Sequence, residues 1–202
     1  MRLVCLDLEG VLVPEIWIAF SQATGIPELQ RTTRDEPDYD KLMRFRLGIL
    51  AEKGLKLSDI QKVISRMDPL PGATEFANLL RKRTQLVILS DTFDQFARPL
   101  MEKLSWPCLF CNTLVTDPAG KVTGYRLRQQ DGKREAVKAF KSMGLSVFAA
   151  GDSFNDLSMI HEADSGCLFR APESIRREYA GLPCTDTYDE LFSRIDGFLH
   201  DN

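Results

Sequence analysis

No apolar run in the 202-residue sequence approaches the ~18 residues that a membrane-spanning helix needs, so no transmembrane segment is expected. No basic stretch followed by an apolar one stands near Met1, so no secretory leader is read there. Positive charge is not in excess. The 26 Lys and Arg face 29 Asp and Glu, and the net charge of −3 leaves no electrostatic footprint for nucleic acid. Internal repeats and low-complexity tracts are absent, which excludes solenoid architectures. No G-x-G-x-x-G follows the first apolar run, which argues against a dinucleotide-binding domain. The five cysteines, at 5, 108, 111, 167 and 184, are odd in number and irregular in spacing. That pattern fits a reducing cytosol, hence a cytoplasmic protein, better than a disulfide framework. Cys108-Leu109-Phe110-Cys111 has no second pair and apolar neighbours, so its thiols are expected to be buried and structural.

What remains is the composition of a soluble globular chain, 44% apolar and 27% charged. Its length allows one core with a large insertion, or a core and one small domain. A chain of this size buries roughly 70% of its unfolded surface, enough to need no covalent staple.

The organising stretch is Arg2-Leu3-Val4-Cys5-Leu6-Asp7-Leu8-Glu9-Gly10-Val11. Its continuous apolar run predicts a parallel strand buried on both faces, and such strands deliver their next side chains to a ligand-binding edge. Asp7 and Glu9 lie two apart, so both point the same way if the strand geometry persists. Gly10 permits a tight exit turn. Like charges ~4 Å apart repel by about 4 kcal/mol at an effective dielectric of about 20. A bridging cation or a shared proton relieves that, and both suit an aspartyl nucleophile beside a metal and a proton carrier. The plainer alternative is a strand end with two solvated acids.

Further along, Pro14 is placed in the first turn of a helix that carries Ile16, Phe20 and Ala23 and stops at Gly25. Residues 31–40, interrupted by Pro37, read as a surface loop. A helix over 39–52 presents Leu42, Phe45, Ile49 and Leu50, and Ser58 is expected to cap a third helix through Ile60, Val63 and Ile64. Residues 14–71 therefore read as all-helical. A helix over 73–83 leads to a buried strand over 85–89, ending in Ser90-Asp91-Thr92, where Asp91 or Thr92 can cap the next helix. A small hairpin is expected within 107–127, then Lys133 at the start of a helix with Ala136, Val137, Phe140 and Met143. A third buried strand, 146–150, runs into Gly151-Asp152-Ser153-Phe154-Asn155-Asp156. Helices over 156–162, 173–180 and 187–199 and a strand over 166–169 complete the chain. His161 and the methionines at 43, 67, 101, 143 and 159 read as a surface residue and ordinary core fillers.

Three buried strands thus end in polar clusters, Asp7/Glu9, Ser90/Asp91/Thr92 and Asp152/Asn155/Asp156, and a parallel sheet brings them to one edge. This order of motifs, D-x-[DE]-G-[TV], a strand ending in Ser, a lysine and G-D-x-x-N-D, resembles the haloacid dehalogenase-like superfamily over most of the chain. The Asp152–Met159 run and the helical insert resemble its phosphoserine phosphatase branch. Asp-Leu-Glu-Gly-Val followed by Pro-Glu-Ile-Trp looks most like the phosphoserine–homoserine phosphotransferase subgroup.

The resemblance implies an α/β fold, a Rossmann-like parallel-sheet core (1–13 and 72–202) with an all-helical cap (14–71) inserted after the first strand. It implies a Mg²⁺-dependent phosphatase acting on O-phospho-L-serine, passing phosphate to water and in that subgroup also to homoserine. A phosphatase for another small phosphomonoester, such as phosphoethanolamine or a sugar phosphate, is the alternative. A receiver-like signalling module is argued against by the helical insert and by G-D-x-x-N-D. Asp7 would be the nucleophile, Glu9 the acid and base, and Lys133 a counter-charge to the reacting phosphoryl group. Mg²⁺ would be held by Asp7, Asp152 and the Glu9 backbone carbonyl. Ser90 and the Asp91 N–H would hold phosphate oxygens with Lys133 adding positive charge there, Asn155 would assist substrate or phosphate binding, and Asp156 would orient Lys133 or a metal-bound water. In the insert, Glu15 would take the substrate ammonium and Arg46 its carboxylate, with Tyr39 nearby. Glu9 and Val11, where relatives have Asp and Thr, and Asp91, where they have Gly, depart from the pattern. The longer Glu9 must fold back or sit farther from phosphorus. The expected partner is a small molecule, with no nucleic acid and no membrane, and with room left for a homodimer.

Overall fold

A computed structural model of the chain describes residues 1–33, 35–36 and 38–201. The expected break at Pro37 lies outside the described residues. β1 (Arg2–Leu6) is followed by α1 (Ile16–Thr24), a 3-10 turn (Pro27–Gln30), α2 (Tyr39–Glu52), α3 (Leu57–Ile64) and α4 (Ala73–Arg81). Then come β2 (Gln85–Phe93), α5 (Asp94–Lys103), β3 (Cys108–Thr116), β4 (Val122–Arg126), α6 (Gly132–Ser142) and β5 (Ser146–Gly151). A 3-10 turn (Phe154–Asp156), α7 (Leu157–Glu162), β6 (Ser165–Phe169), α8 (Glu173–Glu178), β7 (Cys184–Thr185) and α9 (Tyr188–His200) complete the order.

The strands form one seven-stranded sheet in the order β4-β3-β2-β1-β5-β6-β7, parallel except for β4. This is the α/β fold expected. β1 is central because its side chains are apolar in both directions: Leu3 and Cys5 join one apolar cluster, Val4 and Leu6 the other. The chain passes from β1 to β2 on one side and returns to β5 on the other. That change of direction opens a crevice at the carboxyl ends of the strands.

The helices between β1 and α4 cover this edge. Their buried residues Phe20, Leu29, Met43, Leu50, Ile60 and Ile64 belong to the same apolar cluster as Leu6, Phe93 and Phe148 of the sheet. Trp17 meets Phe96 of α5 edge-on, with ring centroids 5.6 Å apart. Among the described residues, no helix is long and apolar enough to cross a membrane.

Several local expectations need correction. α1 begins at Ile16, after Pro14, because the first helical N–H is bound by a side chain from the β1 exit turn. Ser58 lies within α3; the turn ahead of it closes when the Lys56 N–H donates to Asp59 Oδ2 at 2.8 Å. Neither Asp91 nor Thr92 caps α5, since β2 runs on to Phe93 and both side chains turn into the crevice. Phe45 is exposed, and the buried face of α2 passes instead through Leu42, Met43, Arg46 and Leu50. Met143 is exposed just past the end of α6, not a core filler. Cys108 is exposed and Cys111 half-buried on β3, so neither is a fully buried thiol.

Candidate active site

Asp7 sits one residue past β1, buried, with its N–H donating to the Ala150 carbonyl of β5 at 3.0 Å. The turn after it closes on itself: Leu12 and Val13 donate to the Leu8 carbonyl, and Gly10 donates to Val13. Gly10 has φ +79°, and a Cβ there would stand 2.6 Å from the Asp152 carboxylate. Glycine is thus required for conformation and for the close approach of the turn after β1 to Asp152.

Lys133, buried in the first turn of α6, is the electrostatic centre. Its Nζ lies 2.6 Å from Asp156 Oδ1, 2.9 Å from Asp7 Oδ1 and 3.6 Å from Asp91 Oδ2. Burial alone would lower its pKa, but Asp156, Asp7 and Asp91 outweigh that and hold it well above the ordinary lysine range. Asp156 spends its other oxygen on the loop, accepting from the Asp152 and Ser153 N–H groups at 3.0 Å each. It is fully buried, and its Oδ1 accepts from the Lys133 ammonium at 2.6 Å. The Asp7 carboxyl is pushed well above its usual range, first by burial and then by Asp156 and Asp152, against the pull of Lys133.

These acids also suit a divalent cation. Oxygens of Asp7, Asp152 and Asp156 lie within 4.8 Å of one another, and all three residues are buried. The Lys133 approach to Asp7 Oδ1 is an ion pair without hydrogen-bond alignment, so that buried oxygen keeps unused accepting capacity. Asp7, Glu9, Glu15, Asp91 and Asp152 line the cavity against the cations Lys133 and Arg46. An all-oxygen donor set carrying excess negative charge fits Mg²⁺.

The extra methylene of Glu9 is used to fold back. Its Oε2 accepts the Ile16 N–H at 2.8 Å, so the side chain serves as a distant cap of α1. Burial foremost, with the nearby Glu15 carboxylate, raises Glu9 to a pKa of about 7, opposed by the Ile16 and Thr92 hydrogen bonds and by Arg46. Such a group can hold or release a proton near neutrality.

Ser90 is buried at the end of the β2 apolar run, its Oγ accepting the Thr92 N–H at 3.2 Å. Asp91 is held at both ends: its carbonyl accepts from Tyr39 Oη at 3.1 Å and Asn112 Nδ2 at 3.0 Å, and its Oδ2 from Asn155 Nδ2 at 2.7 Å.

The roof comes from the insert. Arg46 is buried, its Nη2 donating to the Arg31 carbonyl at 2.7 Å and its guanidinium lying 4.6 Å over the Trp17 ring. Among the described residues, its Nε has no hydrogen-bond partner and no carboxylate lies within ion-pair distance of the group. Burial lowers Arg46 to a pKa of about 10, against the pull of Glu9, Tyr39 and Glu15. Glu15 lines the same cavity, half-buried.

The cavity therefore gathers Asp7, Glu9, Glu15, Arg46, Ser90, Asp91, Lys133, Asp152 and Asn155, with Asp156 one contact behind. His161 stands apart, exposed beside Tyr179. Sequence reasoning missed Trp17, the floor under Arg46, and Asn112, the second clamp on Asp91. It treated Thr92 as a helix cap, yet Ser90 and Thr92 lie two apart on a strand and share a side, which was readable.

The sequence matches, over residues 1–164, the model of a hydrolase family described as haloacid dehalogenase-like hydrolase. It is 57% identical over 191 residues to a phosphoserine phosphatase of Pseudomonas syringae pv. tomato, covering 95% of this chain and 81% of that one. It is also 57% identical over 191 residues to phosphoserine phosphatase ThrH of Pseudomonas aeruginosa, covering 95% and 93%. Among solved structures, a phospho-aspartyl intermediate analogue of phosphoserine phosphatase superposes with a TM-score of 0.78 at 23% identity, over 96% of this chain and 98% of that one. A substrate-bound phosphoserine phosphatase complex gives 0.78 at 22% identity over 96% and 97%. These structural likenesses are of fold.

Proposed function

The chain belongs to the haloacid dehalogenase-like hydrolase family, and from that premise we propose that it is a Mg²⁺-dependent phosphatase of O-phospho-L-serine working through a phospho-Asp7 intermediate. The observation that carries the reading is the buried Lys133 ammonium joining the strand-end acids Asp7, Asp91 and Asp156 beside a cavity roofed by Arg46. The names of the two close relatives supply the substrate.

An Asp7 oxygen attacks phosphorus in line, and the bond to the serine oxygen breaks. Glu9, protonated, delivers its proton to that departing oxygen; its raised pKa supports this role. Glu9 then accepts a proton from water as the water attacks phospho-Asp7, restoring both groups. Ser90, the Asp91 N–H and Asn155 hold equatorial oxygens, and Lys133 offsets the charge that develops on them. Asp7, Asp152 and the Glu9 carbonyl are the proposed ligands of Mg²⁺, which when bound neutralises phosphate charge and aligns the ester.

At the roof, Glu15 receives the ammonium of the amino acid and Arg46 its carboxylate. A buried guanidinium with an unused N–H is costly unless an anion arrives to pair with it. Residues 14–71 would form the cap, and 1–13 with 72–202 the core, the cap limiting access of water during transfer.

Homoserine as a second acceptor is part of the same reading, motivated by the longer Glu9, whose carboxylate is held at the start of α1 by the Ile16 N–H. The test is incubation of the enzyme with labelled phosphoserine, with and without homoserine. Free phosphate alone is expected without homoserine, and phosphohomoserine in addition with it. Turnover of phosphoethanolamine or a sugar phosphate in preference to phosphoserine would overturn the substrate assignment.

A further inference from the structure

Asp91 places a carboxylate where the reaction would need free donors. One oxygen, Oδ2, accepts from Asn155 Nδ2 at 2.7 Å and lies 3.6 Å from Lys133 Nζ. Those two groups are the ones that would hold an equatorial phosphate oxygen, so the side chain takes the same partners a phosphoryl group requires. The Asp91 backbone is fixed separately, through its carbonyl on Tyr39 and Asn112, so the carboxylate can leave while the strand stays in place. Its side chain is 41% exposed, whereas Lys133 is 4% exposed, so only the carboxylate of this pair can turn towards water at little desolvation cost. There is room for it to go. A cleft of about 460 Å³ adjoins the catalytic cavity, shares Asp91, Lys133 and Asn155 as a wall, and continues past Gln129, Gln130 and Ser158.

We propose that Asp91 is a built-in competitor of phosphate: its carboxylate holds the Lys133–Asn155 donor pair when no phosphoryl group is bound, and swings into the adjoining cleft when one enters. The inference rests on the phosphoryl-transfer reading above. Its functional consequence is that product phosphate is retained less tightly than the donor set alone would hold it. The opposite role is a buttress: if Asp91 merely kept Lys133 and Asn155 in place, removing its charge would weaken phosphate binding. The two roles differ in sign.

The test is calorimetric titration of the full chain with inorganic phosphate in the presence of Mg²⁺, comparing the parent with Asp91→Asn and Asp91→Ala. The Asn variant keeps the volume and serves where the Ala variant does not fold. Phosphate Kd is expected to fall about fivefold in Asp91→Asn and about tenfold in Asp91→Ala, from the worth of one partly exposed charged contact. The inhibition constant of phosphate against phosphoserine turnover should fall with it. An unchanged or weaker phosphate affinity in folded variants overturns the proposal. A parent enzyme that does not turn over phosphoserine would instead overturn the reading on which it rests.

Discussion

Truncating Arg46 to alanine separates substrate recognition from support of the fold. The guanidinium is buried over Trp17, with its Nε unused and its Nη2 spent on the Arg31 carbonyl. If it grips the substrate carboxylate, two charge-assisted hydrogen bonds are lost, each worth ~1.5 kcal/mol, or about 3 kcal/mol together. That corresponds to a fall of about 150-fold in kcat/KM for phosphoserine. The variant also loses packing on Trp17, which lowers stability by about 1 kcal/mol but affects every substrate alike. Phosphoethanolamine, which carries the ammonium and phosphate but no carboxylate, is the control. Its kcat/KM should fall by less than about fivefold, so the ratio of the two substrates changes by well over an order of magnitude. Steady-state kinetics on both substrates measures this. Equal losses would show that Arg46 only supports the roof, and an unchanged phosphoserine rate would remove it from recognition altogether.

Gly10→Ala forces an L side chain into a left-handed backbone and against the Asp152 carboxylate 2.6 Å away. It should cost of order 1–2 kcal/mol in thermal unfolding and more than about tenfold in kcat, and a variant with parent kcat would refute the close-packing argument. Asp156→Ala leaves the Lys133 ammonium without its nearest partner and two loop N–H groups without an acceptor. A loss of about 3–5 kcal/mol in urea unfolding is expected, and a change below about 1 kcal/mol would contradict its place in the buried network. Removal of divalent ions with a chelator should abolish turnover and added Mg²⁺ restore it, whereas chelator-resistant activity would count against the acid cluster as a metal site.

The sheet was legible because its strands are locally unambiguous. β1, the first half of β2 and β5 are continuous apolar runs, and each ends in the polar residues that the crevice collects. The chain positions of Lys133, Asp152 and Asp156 could be read because motif spacing and strand order fix where those backbones emerge. The errors fall where tertiary contacts override local preference. Nothing in the spacing of α2 says that Arg46, not Phe45, faces inward; that follows from Trp17 and the Arg31 carbonyl waiting there. The capping readings failed for a related reason. Asp91 and Thr92 are good cap residues in isolation, but Asn155 and Glu9 offer them partners from distant segments. The start of α1 likewise depends on Glu9, seven residues upstream of the N–H it binds. Met143 shows the remaining limit: helical periodicity continued past the last turn of α6, where no neighbouring element covers it.

The covalent step is open to direct observation. Enzyme mixed with radiolabelled phosphoserine and quenched in acid within the first turnover should carry label on the peptide containing Asp7, and Asp7→Asn should carry none and turn over no substrate. Label on any other residue, or Asp7→Asn working near the parent rate, would contradict the account.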